Sequence, residues 1–434
     1  MTHRFQTLVV GSGPAGIAAA VCAGERGARV GLIDDNPSPG GQIWRSRRGQ
    51  EGPDASHDSE ATRWRARLLN SAVTRLQGWS VFDQPLLRTL RAERNGEVAD
   101  LRYENLILAT GARERFLPFP GWTIPNVMGV GAIQAMVKSG LPVSGKRVVI
   151  AGSGPLLLAV AASLKAAGAT VLCLCEQASL RQLAPFAFSL PATPGKIGEG
   201  LRYRLATLGV PFHTSSWPLE AGGDTQLRQV ELSIHGKPRQ LACDYLACGF
   251  HLLPNIELAS LLGCGVTNGA AIVDEWQQST VPGIFCAGET TGIGGLELSL
   301  VEGQIAGLAA AGQQDRARSL FARRNKLARF AARLAKAFAL RPELQSLPGD
   351  STLLCRCEDV PFGAVRRHRS WRSAKLHTRC GMGPCQGRIC GAAAEFLLGW
   401  SADSVRPPIL PALISSLAAP QAAHETSLEI TEKA

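Results

Sequence analysis

The chain has 434 residues, 45% hydrophobic and 19% charged, with 47 glycines and few aromatics. That composition excludes disordered and fibrous classes and allows two or three domains, each with a buried core. A formal charge of +11 admits an anionic cofactor, an acidic partner protein or nucleic acid. The cations are densest at 45–48, 316–333 and 366–372. No aromatic-interleaved basic motif or helix-turn-helix pattern accompanies them, so an acidic protein surface, and not nucleic acid, is the expected partner. The longest apolar run, 156–169, is shorter than a membrane span and contains Lys165. The first residues lead straight into a buried-strand pattern, which predicts a cytoplasmic protein with no cleaved leader. In a reducing compartment, twelve cysteines point to metal or redox chemistry before disulfides.

Leu8-Val9-Val10 runs into Gly11-Ser12-Gly13-Pro14-Ala15-Gly16. An Ala-rich helix is expected from Ile17 to about Glu25, and Val30-Gly31-Leu32-Ile33 forms a second strand closing at Asp34. This is a βαβ unit with G-x-G-x-x-G. Gly11 makes the tight turn, Gly13 admits a pyrophosphate, Gly16 lets helix and strand pack, and Asp34 is placed for a ribose. Further on, an apolar strand ends in Ala109-Thr110-Gly111 and another ends in Ala287-Gly288-Glu289, while Gly40-Gly41-Gln42 follows the second strand.

Together these motifs resemble the two-dinucleotide-binding-domain flavoproteins. The resemblance implies FAD, held by Gly11, Gly13, Pro14, Ala15, Gly16, Asp34, Gly41, Gln42, Thr110, Gly111, Gly288 and Glu289. Glu289 stands where the family's ribitol-contacting acid is Asp. The implied fold is α/β: a Rossmann-like FAD domain in two parts, 1–117 and 245–312, with a second Rossmann-like domain inserted at 118–244.

The second unit repeats the pattern less fully. Gly152-Ser153-Gly154 follows the strand Val148-Val149-Ile150, and a further strand closes at Glu176, which favours NAD over NADP. Leu157 occupies the place of the third Gly, where a bulky side chain pushes the helix away. A nicotinamide site at Gly152, Gly154 and Glu176 and a retained fold that binds no hydride donor therefore both stand. No C-x-x-C lies in 129–140, so dithiol chemistry beside a flavin is not expected. Cys22, Cys173, Cys175, Cys243, Cys248, Cys264 and Cys286 read as small buried hydrophobes.

From about Gln313 the composition turns basic and amphipathic, predicting a helical linker over 313–347. Beyond Pro348-Gly349 come Cys355-Arg356-Cys357 and Cys380-Gly381-Met382-Gly383-Pro384-Cys385-Gln386-Gly387-Arg388-Ile389-Cys390. Thiolates on Gly-rich loops, with free backbone N–H groups aimed at sulfur, suit an iron–sulfur centre. Structural zinc on four thiolates is the competing reading. The series resembles the bacterioferritin-associated-ferredoxin-like domain, which implies a small α-rich [2Fe–2S] domain at 348–420. It implies the ligands Cys355, Cys357, Cys385 and Cys390 with Cys380 left over, followed by a flexible tail at 421–434.

The combination resembles the FAD-binding α subunit of heteromeric amine and imino-acid dehydrogenases, a group that includes opine oxidase, D-hydroxyproline dehydrogenase and hydrogen cyanide synthase. That resemblance implies an FAD-containing β subunit oxidising the C–N bond of an amino or imino acid. Some complexes add an FMN at the subunit interface and a small ferredoxin-like γ subunit. The α subunit then transfers electrons, which suits the absence of a recognisable substrate acid, base or nucleophile. The alternative is a self-sufficient NADH-dependent flavin reductase feeding a ferredoxin-like acceptor through its [2Fe–2S] cluster.

Overall fold

The computed structural model describes residues 2–45, 59–190, 194–401 and 405–420. Residues 46–48 of the first basic cluster and the expected tail at 421–434 lie outside them. Two parallel sheets organise the chain. In the first, β1 (Thr2–Val10), β2 (Val30–Asp34) and β3 (Thr74–Gln77) lie beside β6 (Glu97–Leu108), and β4 (Ser80–Leu86) and β5 (Thr89–Arg94) extend it antiparallel. The order is β3-β2-β1-β6-β5-β4. β19 (Ile284–Cys286) returns late in the chain to run parallel to β6, with Cys286 against Leu108. Every residue of β2 is buried, as a strand covered on both faces requires.

α1 (Pro14–Gly24) packs against α8 (Leu296–Ala310), with α2 (Ser59–Leu69) completing that face through Ala61, Trp64 and Leu68. The helix pair meets at small residues. A Cβ on Gly303 would stand 2.1 Å from the Ala15 carbonyl oxygen, and one on Gly307 2.3 Å from that of Ala19. Backbones this close admit no side chain, which fixes how α8 lies on the first dinucleotide turn.

The second sheet holds β8 (Val127–Gly129), β9 (Arg147–Ser153), β10 (Thr170–Glu176), β11 (Phe212–His213) and β15 (Tyr245–Phe250), in the order β11-β10-β9-β15-β8. α3 (Val130–Lys138) and α4 (Leu156–Ala166) cover one face, and the antiparallel β12 (Ser216–Gly222), β13 (Gln229–Ile234) and β14 (Lys237–Ala242) cover the other. α5 (Leu180–Ser189) and α6 (Pro194–Ala206) follow β10. The chain leaves the first fold through β7 (Ala112–Glu114) and returns through β16 (Leu252–Pro254), which pair antiparallel. The inserted sheet thus takes in β15, and the return lies past Phe250 rather than at 245. A short strand buried throughout fits the middle of either sheet, so its pattern does not say which one it joins.

After α7 (Glu257–Leu261) and the hairpin β17 (Val266–Thr267) and β18 (Ala270–Ala271), the chain completes the first fold. The basic stretch forms two helices, α9 (Gln314–Arg318) and α10 (Phe321–Ala337), with a turn at Ser319-Leu320. The C-terminal unit contains β20 (Leu353–Cys355), β21 (Val360–Pro361), α11 (Phe362–Val365), α12 (Trp371–Thr378) and α13 (Cys390–Leu398), while 405–420 with α14 (Ile414–Ala418) return to the first fold, Ile409 joining its core and Leu413 N donating to Glu93. Its small core gathers Leu354, Phe362, Trp371 and Ala393 with Cys355, Cys380 and Cys390. Trp122 of the inserted domain donates its indole N–H to the Leu353 carbonyl at 2.6 Å. No helix among the described residues is long and apolar enough to cross a membrane.

Candidate functional site

The first glycine turn is built as its spacing requires. Gly11 has φ +101°, and a Cβ there would stand 2.1 Å from the Ala109 carbonyl oxygen; one on Gly16 would stand 1.7 Å from that of Gly11. Gly13, by contrast, faces open space, and Pro14 opens α1 at its first turn. Asp34 is buried and accepts hydrogen bonds from the Ser12 and Asn36 backbone N–H groups. Gly41 lies over the turn, its Cβ position 3.0 Å from the Gly13 Cα, while Gln42 is exposed. The Ser12 hydroxyl is buried with no partner among the described residues. An open glycine beside an orphaned hydroxyl at a helix N-terminus is what a pyrophosphate would complete.

Thr110 and Gly111 join this turn to the return strand. The Thr110 hydroxyl donates to the Asn255 carbonyl at 2.6 Å, and the Asn255 side-chain amide donates to the Thr110 carbonyl at 2.9 Å. Thr110 also meets the Thr290 hydroxyl at 3.1 Å, linking the A-T-G and A-G-E strands. Gly288 has φ +70°, and a Cβ on it would press on Ala15 at 2.7 Å. Burial raises the Glu289 carboxyl above the usual carboxylate range. Glu302, the buried acid of apolar α8, holds the loop from below: its Oε2 accepts from Gly288 N at 3.0 Å and from the Thr291 hydroxyl at 3.0 Å. Burial pushes this carboxyl up to about 7. An acid amid Leu, Ala and Gly was the available signal for it.

The second turn keeps the backbone and narrows the cleft. Gly152 is needed because a Cβ would stand 1.9 Å from the Gly249 carbonyl oxygen, and Gly154 is open. Both oxygens of Glu176 are taken by its own chain, from Gly154 N at 2.7 Å and Ala178 N at 2.8 Å, and burial raises its carboxyl to about 7. Leu157 is 1% exposed and packs among Val130, Ile150 and Val160. Residues 338–341, beyond α10, seat themselves on this turn. The Phe338 carbonyl accepts from the Ser153 hydroxyl at 2.9 Å, the Gln177 amide at 3.3 Å and His251 Nε2, and Arg341 N donates to Gln177 at 3.0 Å. What remains is a cavity of about 130 Å³ between Gly154, Leu157, Leu334 and Phe338. No motif in the sequence points to this closure.

The C-terminal loops bring the thiols together. Cys355, Cys380 and Cys390 are buried with their sulfurs within 4.8 Å of one another. Cys380, expected to stand aside, is therefore part of the group. Cys385 hydrogen-bonds Cys390 and contacts Cys357, which is exposed. The Gly381 and Glu358 N–H groups point to the Cys355 sulfur, and those of Gly387 and Ile389 to Cys385. Hydrogen bonds from Cys380 and Cys390 hold the Cys355 thiol down at about 2, while the same contacts drive Cys390 upward. Sulfurs gathered this closely, with backbone N–H groups aimed at them, fit a thiolate-bound metal centre.

The chain's likenesses agree with this architecture. Residues 5–314 match the family model of the pyridine nucleotide-disulphide oxidoreductases. An opine oxidase subunit from Rhizobium meliloti is 31% identical, over 95% of this chain and 98% of that protein. The HcnB subunit of hydrogen cyanide synthase from Pseudomonas aeruginosa is 32% identical over 93% of each. Among solved structures, L-proline dehydrogenase from P. horikoshii superposes with a TM-score of 0.67 at 17% identity, over 96% of this chain and 80% of that one, a likeness of fold. The chain belongs to the pyridine nucleotide-disulphide oxidoreductase family and is an FAD-dependent oxidoreductase.

Proposed function

We propose that this chain is the electron-transfer subunit of a heteromeric dehydrogenase that oxidises an amino or imino acid. FAD occupies the first dinucleotide turn and a [2Fe–2S] cluster the cysteine loops. The observation that carries this reading is the seating of residues 338–341 on the second dinucleotide turn. A nicotinamide cleft partly covered by the chain's own residues favours electron supply from elsewhere, and a partner with its own FAD is the proposed source. The opine oxidase and hydrogen cyanide synthase relatives are both subunits by name, which supports such a partner. The opine, hydroxyproline, proline or glycine type of substrate belongs to that partner, as does any FMN at the interface. A cytoplasmic setting and a ferredoxin-like γ subunit complete the reading.

When bound, FAD and the cluster supply two-electron and one-electron redox chemistry. The chain's residues position them. Gly11, Gly13 and Gly16 shape the phosphate turn, Asp34 orders it through Ser12 N, and Glu302 fixes the Gly288–Thr291 loop. Cys355, Cys385 and Cys390, with either Cys357 or Cys380, provide the sulfur ligands.

An anaerobic absorbance titration with NADH tests the reading. Flavin and cluster bands that stay unbleached by NADH, yet bleach with dithionite, support electron supply by a partner. Bleaching by stoichiometric NADH would establish the self-sufficient reductase instead.

A further inference from the structure

A half-buried charge group lies where the first fold meets the cysteine loop. Arg113 follows the A-T-G turn on β7, and its Nη1 stands 2.9 Å from Glu257 and donates to Asn255 Oδ1 at 2.8 Å. Asn255 in turn holds the Thr110 carbonyl. On the other side, Arg113 Nε donates to the Arg388 carbonyl at 3.4 Å, and Arg388 lies between Cys385 and Cys390 in sequence. The Arg388 guanidinium approaches the same Glu257 oxygen at 3.8 Å and donates to the carbonyls of Cys385 and Ile409. The side chains of Arg113, Glu257 and Arg388 are only 23, 20 and 19% exposed.

Two guanidinium groups share one carboxylate, so the group carries a net charge of about +1 in a site poorly screened by salt. Reducing a thiolate-bound iron–sulfur cluster adds a negative charge, and a nearby half-buried cation stabilises that state. We propose that Arg113, Glu257 and Arg388 form a cationic bridge that raises the reduction potential of the cluster and ties its loop to the flavin turn. These are positioning residues; none is a metal ligand. The inference rests on the assignment of an iron–sulfur cluster to the cysteine loops.

The test is a redox titration of the cluster in the full chain, followed by electron paramagnetic resonance after anaerobic reconstitution. Arg113→Gln removes one cation and should lower the midpoint by about 59 mV, a tenfold change in the one-electron equilibrium. Glu257→Gln removes the anion and should move the midpoint upward by a similar amount. Loss of packing would not produce opposite shifts. Where Arg113→Gln fails to fold, the upward shift in Glu257→Gln alone decides. Unchanged midpoints, or shifts of the same sign, in protein with full cluster content would overturn the bridge and leave the proposed function standing. A wild-type chain that takes up no cluster would overturn both.

Discussion

The two dinucleotide folds start from almost the same strand-turn-helix sequence and end in different states. In the first, Gly16 lets α1 close on the Gly11 carbonyl, Gly13 is open, and the Ser12 hydroxyl waits unpaired. In the second, Leu157 fills the helix–strand junction as part of the core, and residues 338–341 lie across the turn. The difference shows that a glycine motif preserves a backbone shape, whereas binding depends on what the rest of the chain leaves uncovered. Gly152 is kept for packing against Gly249, a reason that needs no ligand.

That contrast can be broken or sharpened by mutation. The largest effect should come from Gly16→Ala, which places a Cβ 1.7 Å from a carbonyl oxygen. Overpacking of about 3 kcal/mol or more is expected. Flavin retention should fall with it, read from the ratio of flavin to protein absorbance. Retention of full flavin would mean that the first turn is not the tight one.

Leu157→Ala should destabilise the chain by about 2–5 kcal/mol in chemical denaturation, as for other buried leucines. It should confer no reduction by NADH, because the 338–341 segment still covers the turn. Bleaching by NADH in this variant would show that Leu157 alone closed the site.

Glu176→Gln addresses pH. The carboxyl sits near 4.5 in an unfolded chain and about 7 when folded, so its contribution to stability is fully present below about pH 4.5 and lost as pH rises through 7. The wild type should therefore lose up to about 3 kcal/mol between pH 5 and 8 from this group, and the variant should show a flatter curve. Glu302, raised to about 7 as well, keeps part of the slope in both proteins. Identical pH profiles of the melting temperature would contradict the assignment. The smallest change, about 1 kcal/mol, should follow Ser153→Ala, which removes one donor to Phe338. Faster proteolysis or hydrogen exchange at residues 338–341 would report it.

Much of the first site was legible because each of its residues answers a local requirement. Gly11 and Gly16 have no room for a Cβ, and Asp34 closes a strand whose position is set by a buried run. The closure of the second site was not legible, since Phe338 acts through its backbone carbonyl and any residue could carry that group. Arg113 likewise gains its setting from Glu257 and Arg388, distant in sequence, and no spacing rule connects them. The five clustered cysteines were legible as a group. Which of them face inward was not, because the Gly-rich loops fold around the Trp371 ring and bring Cys380 inside while Cys357 stays exposed.

The ties that close the second dinucleotide fold also limit movement. Residues 338–341 fasten it to α10, Trp122 fastens it to Leu353 of the cysteine unit, and its core continues into Leu344 and Leu347. With β7 and β16 paired beneath, the inserted domain works as a strut. On the proposed electron-transfer role, this tie predicts that solvent viscosity slows the arrival and departure of partners and leaves the internal transfer rate untouched.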